Sequence, residues 1–322
     1  TLGAQRNTRR HGVTDAAHAR TTRSVDDALD VLFRGGVVAI PTETVYGLAA
    51  DADSEAAVRR VYAIKGRPLD HPVIVHVSSI AAMRAWGDLT PLAEKLAKAF
   101  CPGPITLVVP RRPRAEAWIT GGQDTVGLRV PAHPLTLELL RRFEGGLAAP
   151  SANRFGAVSP TTSEHVAHEL GTDIDLVLDG GPCEIGLEST IVDCTGDVAH
   201  VLRPGGVSVE AIEEALDAEV IVGARDTAMR APGLLASHYA PRARVEIVAN
   251  PNDAKIGEKS RLFDASDAGR GEVAVARELY ATLRASDEAG LDVLYVVLPE
   301  ERGLGRAIAD RLRRAAAPRL TR

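Results

Sequence analysis

The stretch Val37–Val77, VVAIPTETVYGLAADADSEAAVRRVYAIKGRPLDHPVIVHV, decides the fold. Its apolar start, Val37–Ile40, predicts a buried strand, and Pro41-Thr42-Glu43-Thr44 leaves that strand as a polar turn. Ser54 is placed to cap a helix whose Val58, Val61 and Tyr62 share one face. Lys65 falls one turn further along, and Gly66 and Pro68 end the helix. Val73–Val77 predicts a second strand in which His76 alternates with apolar neighbours. Strand, capped helix, strand implies an α/β chain, and it gathers hydroxyls, two fixed cations and two histidines at element ends. Side chains at such ends converge on a cavity rather than on the core.

Outward from this stretch, Asp26–Arg34 predicts a helix stopped by Gly35-Gly36, and Thr90–Phe100 and Pro134–Phe143 predict two more. Ile105–Val109, Thr125–Val130, Leu147–Pro150, Asp175–Leu178, Ser189–Asp193 and His200–Leu202 read as strands, and Val209–Leu216 as a closing helix. Residues 1–24 lack apolar periodicity; their Arg-rich, acid-poor composition suits a mobile arm, a frayed terminus or an organelle transit peptide. A chain of 322 residues exceeds one average core, so two domains are expected. The boundaries read as 1–24 for the arm, 25–222 for the first domain, 223–241 for a linker, and 242–322 for a small second domain. In that domain Val245–Val248, Arg261–Phe263 and Asp292–Leu298 predict strands and Val273–Ala285 and Leu304–Ala315 helices, an alternation that implies a small Rossmann-like parallel sheet.

Charge is unevenly spread. Residues 25–210 carry 16 basic and 24 acidic residues, which opposes polyanion binding over the whole surface and makes any anion site local. No apolar run approaches the ~20 residues that span a bilayer, so no membrane segment is expected. Cys101, Cys183 and Cys194 lie far apart with no C-x-x-C pair, which argues against structural zinc and a disulfide framework and fits a reducing cytoplasm. Ser–His–acid order, H-E-x-x-H and Walker sequences are all missing from the chain.

The chemistry therefore rests on short polar clusters. Lys65 and Arg67, two apart at a helix end, suit a triphosphate, Lys as a point charge and Arg as a planar fork; they also suit plain compensation of the helix dipole. Ser151 and Asn153, ahead of Gly156 and Ser159, could approach phosphate oxygens or simply form a turn. Arg129 in an apolar strand needs an anionic partner, either a substrate carboxylate or an ion pair such as one with Glu188. Arg203 has the same two readings. His76 is a site residue or a hydrogen-bonded core histidine. Glu43 is a base, a metal ligand or a solvated turn carboxylate.

Taken together, PTETVYGL (Pro41–Leu48), KGRP (Lys65–Pro68), HPVIVHV (His71–Val77), CPGPITLV (Cys101–Val108), TVGLRVPAHP (Thr125–Pro134), APSAN (Ala149–Asn153), ESTIVD (Glu188–Asp193) and LRPG (Leu202–Gly205) resemble the YrdC-type threonylcarbamoyl-AMP synthases. The blocks occur in family order, and APGLLASHYAP (Ala231–Pro241), LFDAS and RGLGRAIADRLRRA resemble the linker and second domain of the long form. The resemblance implies a YrdC-like twisted mixed sheet around a deep cavity. It implies condensation of L-threonine, bicarbonate and ATP into threonylcarbamoyl-adenylate with release of pyrophosphate, Mg2+ accompanying ATP. The product would supply the machinery that transfers threonylcarbamoyl to tRNA.

By position, the resemblance assigns Thr44, His76, Arg129, Ala149 and Ser189 to threonine, with Arg129 facing its carboxylate. It assigns Lys65, Arg67, His71, Thr125, Ser151, Asn153, Ser159 and Arg203 to ATP, with Lys65 and Arg67 as the catalytic cations, and no metal ligand. Where some relatives carry a linker tyrosine that reaches the nucleotide this chain has Ala236, with Tyr239 three residues on. Between Val248 and Arg261 only 12 residues stand where relatives fit a helix and a strand, so a βα unit is missing or pared down. Two other classes compete. A non-enzymatic RNA-binding module is opposed by the acidic first domain and the 4% aromatic content, which leaves little for base stacking. A hydrogenase-maturation carbamoyl-adenylate former would carry cysteine-rich zinc and acylphosphatase-like modules, which this chain does not match.

Overall fold

The computed structural model describes residues 19–223, 239–267 and 269–318. In chain order the first domain runs β1 (Thr21–Thr22), α1 (Val25–Phe33), β2 (Val38–Ile40), β3 (Gly47–Asp51), α2 (Glu55–Lys65), β4 (Ile74–His76), α3 (Ile80–Met83) and α4 (Pro91–Phe100). It continues with β5 (Ile105–Pro110), α5 (Ala117–Thr120), β6 (Thr125–Arg129), α6 (Pro134–Phe143), β7 (Leu147–Ala148), α7 (Ser163–Leu170), β8 (Leu176–Leu178), β9 (Thr190–Asp193), β10 (His200–Arg203), α8 (Val209–Leu216) and β11 (Ile221–Val222). The second domain has β12 (Arg244–Val248), β13 (Ser260–Asp264), α9 (Glu272–Glu288), β14 (Val293–Val297) and α10 (Gly305–Ala316).

The first domain is one mixed sheet in the order β1-β8-β2-β3-β7-β4-β6-β5-β9-β10-β11. Short strands cannot cross a wide core, so each ends early and hands its polar residues to a shared rim. In the centre, β4 and β6 run parallel with His76 opposite Arg129, so both strands deliver a polar residue at the same C-terminal edge. The helices are locally specified as read: Ser54 accepts from the Ala57 amide at the start of α2, and Gly66 closes it at φ 63°, a left-handed conformation that favours glycine. Beneath the sheet Trp86, Met83, Leu96, Ile105, Leu107 and Leu128 fill one apolar cluster.

Three expectations change. Residues 19–24 are not part of a free arm: Ala19 is buried, β1 pairs in parallel with β8, and Ser24 caps α1. Apolar periodicity could not reveal them, because a two-residue edge strand carries none. The strand β3 went unread between the polar turn and Ser54, since GLAAD has no β-branched or aromatic residue; it pairs antiparallel with both β2 and β7. The helix α7 was also unread, its apolar face being only Val166 and Leu170.

The second domain is a three-stranded parallel sheet in the order β12-β14-β13, with α9 and α10 packed on it. Between β12 and β13 there is only a turn of 3-10 helix, Pro251–Asp253, so the missing βα unit is absent. Its core is not separate. Val245, Phe263, Leu279, Leu294, Ile308 and Leu312 share one cluster with Val45, Val158 and Leu187 of the first domain and with Tyr239. The linker itself, including Ala236, falls mostly in 224–238, outside the described residues.

Candidate functional site

A cleft enclosing ≈ 550 Å³, part of it continuous with solvent, opens where the strand ends meet, a size suited to a small-molecule site. Thr42, Val45, Gly47, Arg67, Ile74, His76, Arg129, Ala149, Pro150, Ser151, Glu188, Ser189, Arg203 and Tyr239 line it. Residues more than a hundred positions apart thus share one wall.

One end is built around Arg129. Its Nη2 donates to Glu43 Oε1 at 2.7 Å and to Thr44 Oγ1 at 2.8 Å. Thr42 Oγ1 gives its proton to the Val45 carbonyl at 2.6 Å, so Thr44 donates to Thr42 and the guanidinium heads a chain of three oriented bonds. The second oxygen of Glu43 accepts from the Ala132 amide. Arg129 therefore pairs with Glu43 and not with Glu188, and Glu43, read as a possible solvated turn carboxylate, is 5% exposed. Arg129 Nε and His76 Nδ1, both buried, hydrogen bond to no described residue. Burial, reinforced by Arg129, pulls His76 down to about 3, so it is a neutral imidazole at pH 7. A neutral ring beside a guanidinium with an unused N–H is a polar corner that lacks an acceptor.

The other end is cationic. Arg67 lines the cleft with its Nη2 donating to the Pro72 carbonyl at 2.8 Å, and burial lowers its pKa. Arg203 donates through Nη2 to the Ser189 carbonyl at 2.9 Å, while the Ser189 hydroxyl shares a proton with Thr106 at 2.8 Å. The LRPG turn presses on the same peptide: a Cβ on Gly205 would stand 2.3 Å from the Glu188 carbonyl oxygen, so only glycine fits. Glu188 is fully engaged, Oε1 accepting from Ser159 Oγ at 2.7 Å and Oε2 from Tyr280 at 2.7 Å and Arg311 Nε at 2.8 Å. Burial pushes this carboxyl up, but Arg311 and Arg203 outweigh it and hold it at about 2.

The remaining candidates are placed as follows. Ala149, Ser151 and Ser189 line the cleft. Lys65 is buried behind it, its Nζ donating to the Ser151 carbonyl at 2.5 Å and the Asn153 carbonyl at 2.6 Å. Burial, with Arg67 adding, lowers it to about 7. Thr44 backs Arg129, Ser159 backs Glu188, and Asn153 spends its amide on the Arg154 and Ala157 carbonyls. His71 stacks edge-on against Phe155. Thr125 begins the strand that Arg129 ends, roughly 13 Å away at ~3.3 Å per residue, and it does not line the cleft.

Sequence reasoning missed Tyr280 and Arg311, and it left Tyr239 only as a substitute contact. Tyr239 is buried, lines the cleft and stacks on Tyr280 at 5.6 Å between ring centroids. A signal for Arg311 did exist: it sits among Ala307, Ile308, Leu312 and Ala315 on the buried face of α10, where a charge demands a partner.

This is the cleft of a YrdC-like fold extended by a second domain. The pattern of the Sua5/YciO/YrdC family, described as telomere recombination, matches residues 30–205, and that of the threonylcarbamoyl-AMP synthase C-terminal domain matches residues 207–317. The chain belongs to the threonylcarbamoyl-AMP synthase family in its two-domain form. It is 40% identical to the threonylcarbamoyl-AMP synthase of Pyrococcus abyssi, over 89% of this chain and 92% of that protein. It is 39% identical to the synthase of Bacillus subtilis, over 92% and 94%. The crystal structure of P. abyssi Sua5 complexed with L-threonine superposes with a TM-score of 0.85 at 38% identity, covering 93% of this chain and 97% of that one.

Proposed function

We propose that this chain makes threonylcarbamoyl-adenylate from L-threonine, bicarbonate and ATP, as a nucleotidyltransferase releasing pyrophosphate, and so supplies tRNA threonylcarbamoylation. The observation that carries the reading is the polar corner of Arg129 and His76, with an unused guanidinium N–H and an unused ring nitrogen, facing Arg67 and Arg203 in one cleft. An amino-acid carboxylate fits the first and a triphosphate the second.

The threonine amine adds to bicarbonate with loss of water, and the resulting carbamate oxygen attacks the α-phosphorus as pyrophosphate leaves. Both nucleophiles belong to the substrates, so the protein's part is positioning and charge stabilisation. Arg129 takes the carboxylate through Nε while Glu43 and Thr44 hold its far side still. Arg67 and Arg203 offset the charge of the phosphates. Lys65 acts from behind, fixing the Ser151–Asn153 loop through two carbonyls, and this supports a positioning role for it beside the catalytic one expected from the resemblance. Mg2+ would accompany ATP, offsetting phosphate charge beside Arg67 and Arg203. Among the described residues no helix is long and apolar enough to cross a membrane. The three cysteines are free thiols raised by burial, which supports a reducing cytoplasm.

Mass spectrometry of the nucleotide product tests the proposal. Threonylcarbamoyl-adenylate and pyrophosphate are expected only when threonine, bicarbonate and ATP are all present. Equal turnover with serine, or with carbamoyl phosphate replacing bicarbonate, would overturn it.

A further inference from the structure

The second domain reaches the cleft-lining Glu188 through two side chains, Tyr280 on α9 and Arg311 on α10. Arg311, on α10, is fully buried. Its Nε donates to Glu188 Oε2 at 2.8 Å, its Nη2 to the Pro204 carbonyl at 3.0 Å, and its Nη1 to its neighbour Asp310 at 2.6 Å. Its guanidinium also lies 5.2 Å from the centroid of the Tyr239 ring. Glu188 and Pro204 each immediately adjoin a cleft residue, Ser189 and Arg203, and these two are bonded to each other. One planar fork thus spans the start of β9, the end of β10 and the cleft-lining ring of Tyr239.

From this geometry we infer that Arg311 is a positioning residue for the nucleotide end of the cleft, and that the second domain sets the site's affinity through it. The inference rests on the proposed function for the identity of the ligand. The physical reason is the orientation of a buried carboxylate and of the two peptides beside it. While Arg311 and Tyr280 occupy Oε2 and Ser159 occupies Oε1, Glu188 is held in one orientation. The same guanidinium holds the Pro204 carbonyl, so the Ser189 carbonyl and the Arg203 that donates to it are fixed from behind. Without Arg311 a buried carboxylate loses its cation and both peptides loosen, which shifts Arg203 and Ser189 in the cleft wall. The threonine end shares only Ser189 with this bridge, because Arg129 is held by Glu43 and Thr44 within the first domain.

Calorimetric titration of the full chain with ATP and, separately, with L-threonine tests this. Arg311→Met is expected to weaken ATP binding at least tenfold while threonine binding stays within threefold of wild type. Arg311→Lys, which keeps the charge but loses the fork, should fall between. Arg313→Ala, an exposed position on the same helix paired with Glu301, should change neither. A folded Arg311→Met protein that binds ATP as wild type does would overturn the inference, as would an equal loss for both ligands. If Arg311→Met does not fold, Tyr280→Phe and Arg311→Lys decide: each should lose ATP affinity several-fold, and unchanged affinity in both overturns it. A wild-type chain that binds ATP without making the adenylate would refute the proposed function and leave this inference standing; one that binds no ATP refutes both.

Discussion

The two ends of the cleft are built by different means. The end proposed for threonine is assembled from strand ends of one sheet, His76 and Arg129 facing each other across a parallel pair and Glu43 and Thr44 arriving from the turn after β2. The end proposed for the nucleotide is assembled across a domain boundary, with Ser159, Tyr280 and Arg311 all bonded to Glu188 beside Arg203. The first is fixed by sheet register, which cannot slip without turning every side chain over. The second depends on how the second domain docks. In the proposed reading, an amino-acid end held within one sheet thus stands beside a nucleotide end whose wall needs both domains.

The largest expected effect breaks the threonine end. Arg129→Ala strips a buried Glu43 of its cation, which costs about 3–5 kcal/mol of stability when one partner of a buried pair is removed. Threonine binding should fall at least a hundredfold. The double variant Arg129→Met, Glu43→Gln should recover most of the stability, read as the midpoint of urea unfolding, and none of the binding. Recovery of threonine binding along with stability would show that Arg129 only fills a structural pair.

Arg67→Ala comes next, at the other end. It should lower ATP affinity roughly a hundredfold, the scale of a charge-assisted contact at ~1.5–3 kcal/mol. Threonine affinity should stay within threefold and the melting temperature within a few degrees. Loss of threonine affinity as well would mean the two ends are not independent.

The threonine end was readable in the sequence because each of its residues sits inside or beside an apolar strand, where a polar residue must be explained. Arg129 and His76 stand out for this reason, though not their partners: Glu43 looked like a turn carboxylate because nothing local shows that Pro41–Thr44 is buried under the sheet edge. The nucleotide end was only half legible. Glu188 and Arg203 were visible as charges at strand ends, yet the ion pair read for Glu188 was with Arg129, whereas its partner lies 123 residues further on. A contact made by domain docking leaves no periodic trace, and the sole trace left here was a charge on the apolar face of α10. The strand β3 and the 19–24 segment were lost for the plainer reason that short or alanine-rich strands have no β signature.

The smallest expected effect separates the two ends by pH. His76 is held near 3 in the folded chain against an unfolded value of 6.5, so between those limits the unfolded state binds more protons and stability falls as pH drops through that range. From pH 7 to 4.5 this loss is roughly 2–3 kcal/mol, at ~1.4 kcal/mol per pH unit below 6.5. Glu188, at about 2 against 4.5, has the same sign but a lower window, contributing stability above 4.5 that is lost only as pH falls toward 2. Acidification should therefore weaken the threonine end first. His71 and His165 are also lowered by burial and add to the same slope, so the informative quantity is the difference between wild type and His76→Gln. Urea unfolding at pH 7, 5.5 and 4.5 should show a shallower decline for the variant. Parallel declines would mean that His76 takes up a proton in the folded state, and with it that the polar corner beside Arg129 is wetter and less selective for a carboxylate than its geometry implies.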